Sequence, residues 1–143
     1  MPVNHAFAGE VESGPEVFRR DYLDRLERVV AIAAILQPAL VRLLSPETRT
    51  RKEIGNSVRY IVREHPWLLR MYGDAVHRLY RVGFPVTIEN AVGNNILSTP
   101  AEVVDFFAGL NCKGEVGFTW DVQNLWQMGT YPTMEVYRRL KGV

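Results

Sequence analysis

Apolar residues recur along this chain at two spacings, and the alternation between them outlines an architecture. Phe18, Tyr22, Leu26, Val29, Ala33 and Leu36 fall three or four residues apart, which places them on one face of a helix. Ser13-Gly-Pro-Glu16 sets the serine and glutamate of a capping box ahead of them, so a helix is predicted from Pro15 to Leu36. After Gln37-Pro38, the segment Ala39-Leu-Val-Arg-Leu-Leu-Ser45 is short, apolar and closed by Pro46, as a buried strand would be. Thr50-Arg-Lys-Glu53 repeats the capping-box spacing. Ile54, Val58, Ile61, Leu68, Met71, Tyr72, Ala75, Leu79 and Tyr80 then carry an apolar stripe toward Gly83. This long helical region should break near His65, because Pro66 has no amide hydrogen and its ring crowds the carbonyl four residues earlier. Phe84 to Glu89 reads as the next strand. Thr99-Pro100-Ala-Glu102 combines a capping threonine, a proline at the first helical position and a box glutamate, the strongest helix start in the chain. Val116 to Asp121 is a further strand and Pro132 to Leu140 a final helix, while Val3 to Ala8 supplies one more strand at the beginning.

Strands that alternate with helices in this way require parallel pairing through crossover connections, so the fold class is α/β. About four βα units make half of an eight-stranded barrel, and 143 residues fall well short of the ~250 typical of a closed one. The expectation is a single incomplete barrel domain over residues 1–143, a piece of a longer protein. Its helices should cover one side of the sheet and its terminal strands should have unpaired edges. Such edges favour self-association.

Composition narrows the function classes. Hydrophobic residues are 47% and charged residues 23%, a globular balance with enough apolar material for a core. Seventeen basic against sixteen acidic residues give a formal charge of +1, which supplies no field to gather nucleic acid or an anionic membrane. Arg49, Arg51 and Lys52 form the densest basic cluster and read as a solvated helix entrance. The most apolar run, Val29 to Val41, is too short to span a ~30 Å hydrocarbon core, and the first residues lack the pattern of a secretory signal. Cys112 is the one cysteine, which excludes an internal disulfide and suits a reducing, cytoplasmic compartment. It reads as a structural thiol.

Candidate chemistry lies on two strands built to the same plan. In Phe84-Pro-Val-Thr-Ile-Glu89, Phe84, Val86 and Ile88 share one face, and Thr87 and Glu89 the other. In Val116-Gly-Phe-Thr-Trp-Asp121, Val116, Phe118 and Trp120 oppose Gly117, Thr119 and Asp121. Each strand thus ends in a carboxylate on its less apolar face, at the end where α/β folds build their sites. Two carboxylates brought together there need a positive charge between them or a proton on one of them. A divalent cation with oxygen ligands supplies that charge; the alternative is that both side chains cap loops or accept backbone hydrogen bonds.

Val86-Thr-Ile-Glu-Asn90, Leu97-Ser-Thr-Pro-Ala-Glu-Val-Val-Asp105 and Val116-Gly-Phe-Thr-Trp-Asp-Val-Gln-Asn-Leu-Trp126, in that order, resemble the xylose isomerase-like sugar phosphate isomerase/epimerase family. The resemblance is sharpest over residues 84–126 and weaker over residues 4–45. It implies that this chain covers about strands 3 to 6 of the barrel, that Glu89 and Asp121 bind a divalent metal (Mn²⁺, Mg²⁺, Co²⁺ or Zn²⁺), and that Glu89 also acts as a catalytic acid/base. The family completes its metal site with a histidine after strand seven and a glutamate after strand eight, neither of which is present here. Half of the ligand set is therefore missing. Where the family often has a substrate-contacting histidine, three residues after the aspartate, this sequence has Asn124, which can hydrogen-bond a hydroxyl but cannot shuttle a proton.

The resemblance implies carbohydrate metabolism: proton transfer next to the carbonyl of a small sugar or sugar phosphate, in a cytoplasmic enzyme. The same scaffold also serves polyol dehydratases and endonucleases, and a truncated, non-catalytic remnant is a further reading. With one acid/base group in view, the isolated chain is expected to be inactive. Asn124, Trp126 and His5 are the candidate substrate contacts. Trp120 shares the apolar parity of its strand and reads as core. Arg42 is expected to pair with an acid inside the barrel, Asn90, Asn94 and Asn95 to line the loop above Glu89, and His65 and His77 to be structural.

Overall fold

The computed structural model describes residues 3–5, as backbone only, and residues 10–143 in full. The strands β1 (Val3–His5), β2 (Val41–Leu44), β3 (Val86–Glu89) and β4 (Val116–Thr119) lie in the order β1-β2-β3-β4, each pair parallel. The class is α/β, as the alternation of periods requires. The predicted strand beyond His5, over residues 6–8, lies outside the described residues. Among the described residues, β1 and β4 each have one strand neighbour and form the sheet's edges.

Register decides which side chains meet. Val41, Val86 and Val116 are aligned, as are Leu43, Ile88 and Phe118 one pleat further on. These positions face the core, where Val41, Leu43 and Ile88 are fully buried. The intervening positions align Arg42 with Thr87 and Gly117, and Leu44 with Glu89 and Thr119. The sheet therefore has one apolar face, sealed at β2 and β3 and partly exposed at β4, and one partly open, largely polar face.

The helices supply the other side of the core. The predicted first helix forms as α1 (Pro15–Phe18), a π-helical turn (Arg19–Leu23) and α2 (Asp24–Leu36), ended by Gln37 in the left-handed region at φ 47°. It buries Phe18, Tyr22, Leu26 and Ala33. The long region after β2 divides into α3 (Ser57–Glu64) and α4 (Trp67–Arg81), with the break at His65-Pro66 where proline geometry placed it. Phe18, Tyr22, Tyr72 and Phe106 form a chain of ring contacts across three helices, with centroids 4.9 to 5.7 Å apart along it. Tyr72 also donates its hydroxyl to the Leu44 carbonyl at 2.8 Å, fixing α4 to the end of β2. α5 (Pro100–Leu110), α6 (Val122–Gln127) and α7 (Met134–Leu140) complete the chain. Thr99 caps α5 as predicted, accepting from the Glu102 amide.

Two readings of the sequence need correction. Thr50-Arg-Lys-Glu53 forms a turn closed by Glu53 N donating to Thr50 O, and the helix begins only after Asn56, whose side chain accepts from the Arg59 amide. Gly55 interrupts the helical stripe between them. The basic cluster is also not uniformly solvated. Arg49 is exposed and pairs with Glu10, but the Arg51 side chain is only 12% exposed and holds the fully buried Glu102 carboxylate with contacts of 2.9 and 3.0 Å. Ser57 N at 2.7 Å, Ser98 N at 3.2 Å and Thr99 Oγ1 at 3.1 Å also donate to that carboxylate. Glu102 therefore does not close its capping box on Thr99 N; it joins the loops that follow β2 and β3.

Breaking a buried, fully hydrogen-bonded ion pair from one side leaves the other charge stranded, at a cost of ~3–5 kcal/mol. Glu102→Ala should lower the urea unfolding free energy by about that amount, whereas Arg49→Ala, in an exposed pair, should leave it nearly unchanged. Equal effects of the two substitutions would refute the assignment of Glu102 as the loop anchor.

Candidate functional site

Because the strands are parallel, the segments after β2, β3 and β4 leave the sheet at the same end, and their buried polar residues tie them together. Ser45 Oγ donates to the Glu89 carbonyl at 2.7 Å and lies 2.8 Å from Asn95 Oδ1, while Asn95 Nδ2 donates to the Ser45 carbonyl at 2.9 Å. Asn90 brackets the start of the next segment. Its Oδ1 accepts from Asp121 N at 2.8 Å and its Nδ2 donates to Asp121 O at 2.9 Å. Serine, asparagine and main chain thus satisfy one another in a region closed to water, which holds the loop ends in a single arrangement.

Within this frame stands Glu89, 7% exposed at the last position of β3. Its Oε1 accepts from Arg42 Nη1 at 2.7 Å, the Arg–acid pairing expected from the sequence. Arg42 and Glu89 meet because register puts them on the same face of neighbouring strands, two positions apart. Thr119 Oγ1 donates to Thr87 Oγ1 at 2.7 Å on that face, so β4 continues it. Burial pushes the Glu89 carboxyl above the ordinary carboxylate range; the Arg42 guanidinium pulls it back, and the negative charge of Asp121 raises it again. The net shift is upward.

Asp121 follows β4 with extended backbone and caps α6, its Oδ1 accepting from Asn124 N at 2.8 Å. Among the described residues, Glu89 Oε2 and Asp121 Oδ2 accept no hydrogen bond. One oxygen of each carboxylate is thus held by the protein and the other is available. Against two carboxylates stands one guanidinium, which leaves a net negative charge at the strand ends. Hard divalent ions prefer such oxygen donors, so this donor set suits a cation, for which these two side chains would be two ligands.

The other predicted site residues are placed differently. Asn124 faces the same strand ends, but its Nδ2 donates to the Asn90 carbonyl at 3.1 Å, so it acts as a clasp between β3 and α6. Trp126 is 55% exposed on α6. His5 is the last residue of β1, in register with Leu43, and its side chain lies outside the described residues. Trp120 packs against the core, as its parity indicated. Asn95 and Asn90 are buried, and Asn94 is exposed. A groove of about 630 Å³ runs along α4 and α5; none of its lining residues belongs to the strand ends that carry Glu89 and Asp121.

The sequence reading missed α6 and the dual use of Asp121. Asp121-Val-Gln-Asn124 carries the signal, since an aspartate at this spacing is a favoured helix cap. Ser45 was also missed, and a lone serine at a strand end announces nothing until its partners are known.

The raised Glu89 carboxyl gives a direct check. A carboxyl raised in the folded state binds its proton more tightly there than in the unfolded chain, so its contribution to stability is lost as pH rises through and just above the ordinary carboxylate range. Carboxyl-detected NMR titration should show the Glu89 midpoint falling in Asp121→Asn and rising in Arg42→Met. No movement in either variant would contradict the proximity of the three charges.

Comparison with protein-family models, with curated proteins and with solved structures returns no match.

Proposed function

We propose that this chain is part of a metal-dependent sugar or sugar phosphate isomerase/epimerase built on a barrel of which the present sheet is about half. The observation that carries the reading is the pair Glu89 and Asp121, at the same end of adjacent parallel strands, each with one carboxylate oxygen free of hydrogen bonds among the described residues. The likeness of residues 84–126 to the family's strand-end motifs supports it from the sequence side. The open polar face of Arg42, Thr87, Gly117 and Thr119 is where an inward-facing barrel surface would lie.

A bound Mn²⁺ or similar ion would polarise a carbonyl and steady the charge of an enediolate. The chain's own residues would do the rest. Glu89, with its carboxyl raised by burial, is placed to exchange a proton with a carbon next to that carbonyl. Arg42 orients its Oε1 and leaves Oε2 toward the open face. Asp121 is fixed by its own helix cap and by Asn90. The substrate class is a small polyhydroxylated carbonyl compound, with Trp126 as an apolar surface against which such a ring could rest.

Two carboxylates do not make a tight site, because the ion keeps most of its water and gains little from preorganisation. The chain should bind Mn²⁺ with a dissociation constant on the order of 10⁻⁴–10⁻³ M, the weak end of the range that ligand charge count and site rigidity set for hard cations. Paramagnetic broadening of amide signals should centre on Glu89 and Asp121 and disappear in Glu89→Gln, with no ketose epimerisation by the chain alone. Broadening centred elsewhere, or unchanged in Glu89→Gln, would remove these carboxylates from the metal site. The edges of β1 and β4 should also drive association, read as a sedimentation coefficient that rises with concentration; a constant monomer value would count against the half-barrel.

A further inference from the structure

At the opposite end of the sheet, where β4 begins, a second set of metal-ligating side chains converges. His77 lies in the C-terminal half of α4, Cys112 in the turn after α5, and Glu115 immediately before β4. Ligand atoms from the three all lie within 4.8 Å of one another. They come from segments 35 and 38 residues apart, so no local spacing motif announces them.

The imidazole ring fixes the roles. Its Nδ1 is in close contact with Glu115 Oε2. A carboxylate can only accept, so in the neutral ring Nδ1 is the donor and the lone pair is left on Nε2. Nε2 is directed at Cys112 Sγ, 3.8 Å away. In a tetrahedral site with metal–nitrogen bonds of ~2.0–2.1 Å and metal–sulfur bonds of ~2.3 Å, the two ligand atoms stand roughly 3.6 Å apart. The observed separation is within a few tenths of an ångström of that spacing, about what a small side-chain rotation supplies. A carboxylate on the far nitrogen of a ligating histidine is also the usual way in which a metal site holds its ring.

The surroundings are suited to a cation. Cys112 is 2% exposed and its thiol donates to the Leu110 carbonyl at 3.2 Å, so the sulfur is held in one place. Burial first, and then the negative charges of Glu115 and Asp74, hold the thiol above its ordinary pKa. Asp74 precedes His77 by three residues on the same helix, and both line a solvent-open groove.

We propose that His77 Nε2 and Cys112 Sγ form a binding site for a thiophilic divalent cation of the Zn²⁺ class, with Glu115 orienting the histidine and Asp74 at the rim of the open coordination positions. Binding replaces the thiol proton, which passes to solvent as the sulfur–metal bond forms, and water fills the remaining positions. This site is independent of Glu89 and Asp121 and differs in ligand softness, sulfur and imidazole against oxygen alone.

Co²⁺ is the probe, because a thiolate bound to it gives an intense near-ultraviolet charge-transfer band, and Cys112 is the only cysteine. Titration of the whole chain should produce that band with one Co²⁺ per chain, and Zn²⁺ should displace it. Glu115→Gln should weaken binding ~10–100-fold, the usual effect of removing the carboxylate behind a ligating histidine. His77→Gln, on a half-exposed helix position, should weaken it further, and Cys112→Ser should abolish the band, each with unchanged far-ultraviolet circular dichroism. Glu89→Gln combined with Asp121→Asn should leave the band intact. Absence of the band at millimolar Co²⁺ in the folded chain would overturn the proposal. A band of undiminished affinity in folded His77→Gln would overturn it as well.

Discussion

A carboxylate that is fully shut off from water must be neutralised and hydrogen-bonded, and in this chain that requirement organises one whole end of the sheet. Glu102 is 0% exposed, and its two oxygens are satisfied by Arg51, two backbone amides and the Thr99 hydroxyl. The donors come from the segment after β2, the segment after β3 and the start of α5. None of these can move away without leaving a buried charge unpaired, so one side chain sets the relative positions of all three. Arg51 in turn reaches Ser57 Oγ at 2.6 Å and Ser98 Oγ at 3.3 Å, which extends the same constraint to the entry of α3.

The strand ends inherit this order. Thr48 N donates to Asn94 O at 2.9 Å and Ile96 N to Pro46 O at 3.1 Å, so the two loops run beside each other above the sheet. Ser45, Asn90 and Asn95 then fasten them to Glu89 and Asp121. The contrast between the two acids of this region is instructive. Glu102 has donors for both oxygens and is structural. Glu89 has one donor, Arg42, and faces the open side of the sheet beside a second carboxylate. A site needs the incomplete satisfaction that a structural anchor does not permit.

The elements were legible wherever a physical period or a backbone restriction governed them. Alternation in Val86-Thr-Ile-Glu89 and Val116-Gly-Phe-Thr119 gave the parity of the sheet faces correctly, because register in a parallel sheet preserves it. Pro66 gave the helix break, and Thr99-Pro100 the start of α5. What was not legible depended on distant partners. The spacing of Thr50 and Glu53 resembles a capping box, but Gly55 intervenes and Arg51 is drawn away to Glu102, 51 residues later in the chain. For Asp121 the sequence leaves a strand-end ligand and a loop cap as alternatives, and the structure shows the cap, on α6. His77 and Cys112 each looked structural alone; their meeting with Glu115 is a product of the packing of α4 against the turn before β4.

The central claim is that Glu89 and Asp121 converge on one cation. Crystals grown or soaked in Mn²⁺ and measured on either side of the manganese absorption edge would locate the ion directly. An anomalous peak in contact with Glu89 Oε2 and Asp121 Oδ2, beside the Arg42 guanidinium, is the expected result. Clear density for both carboxylates with no peak between them, at Mn²⁺ concentrations well above the expected dissociation constant, would contradict it.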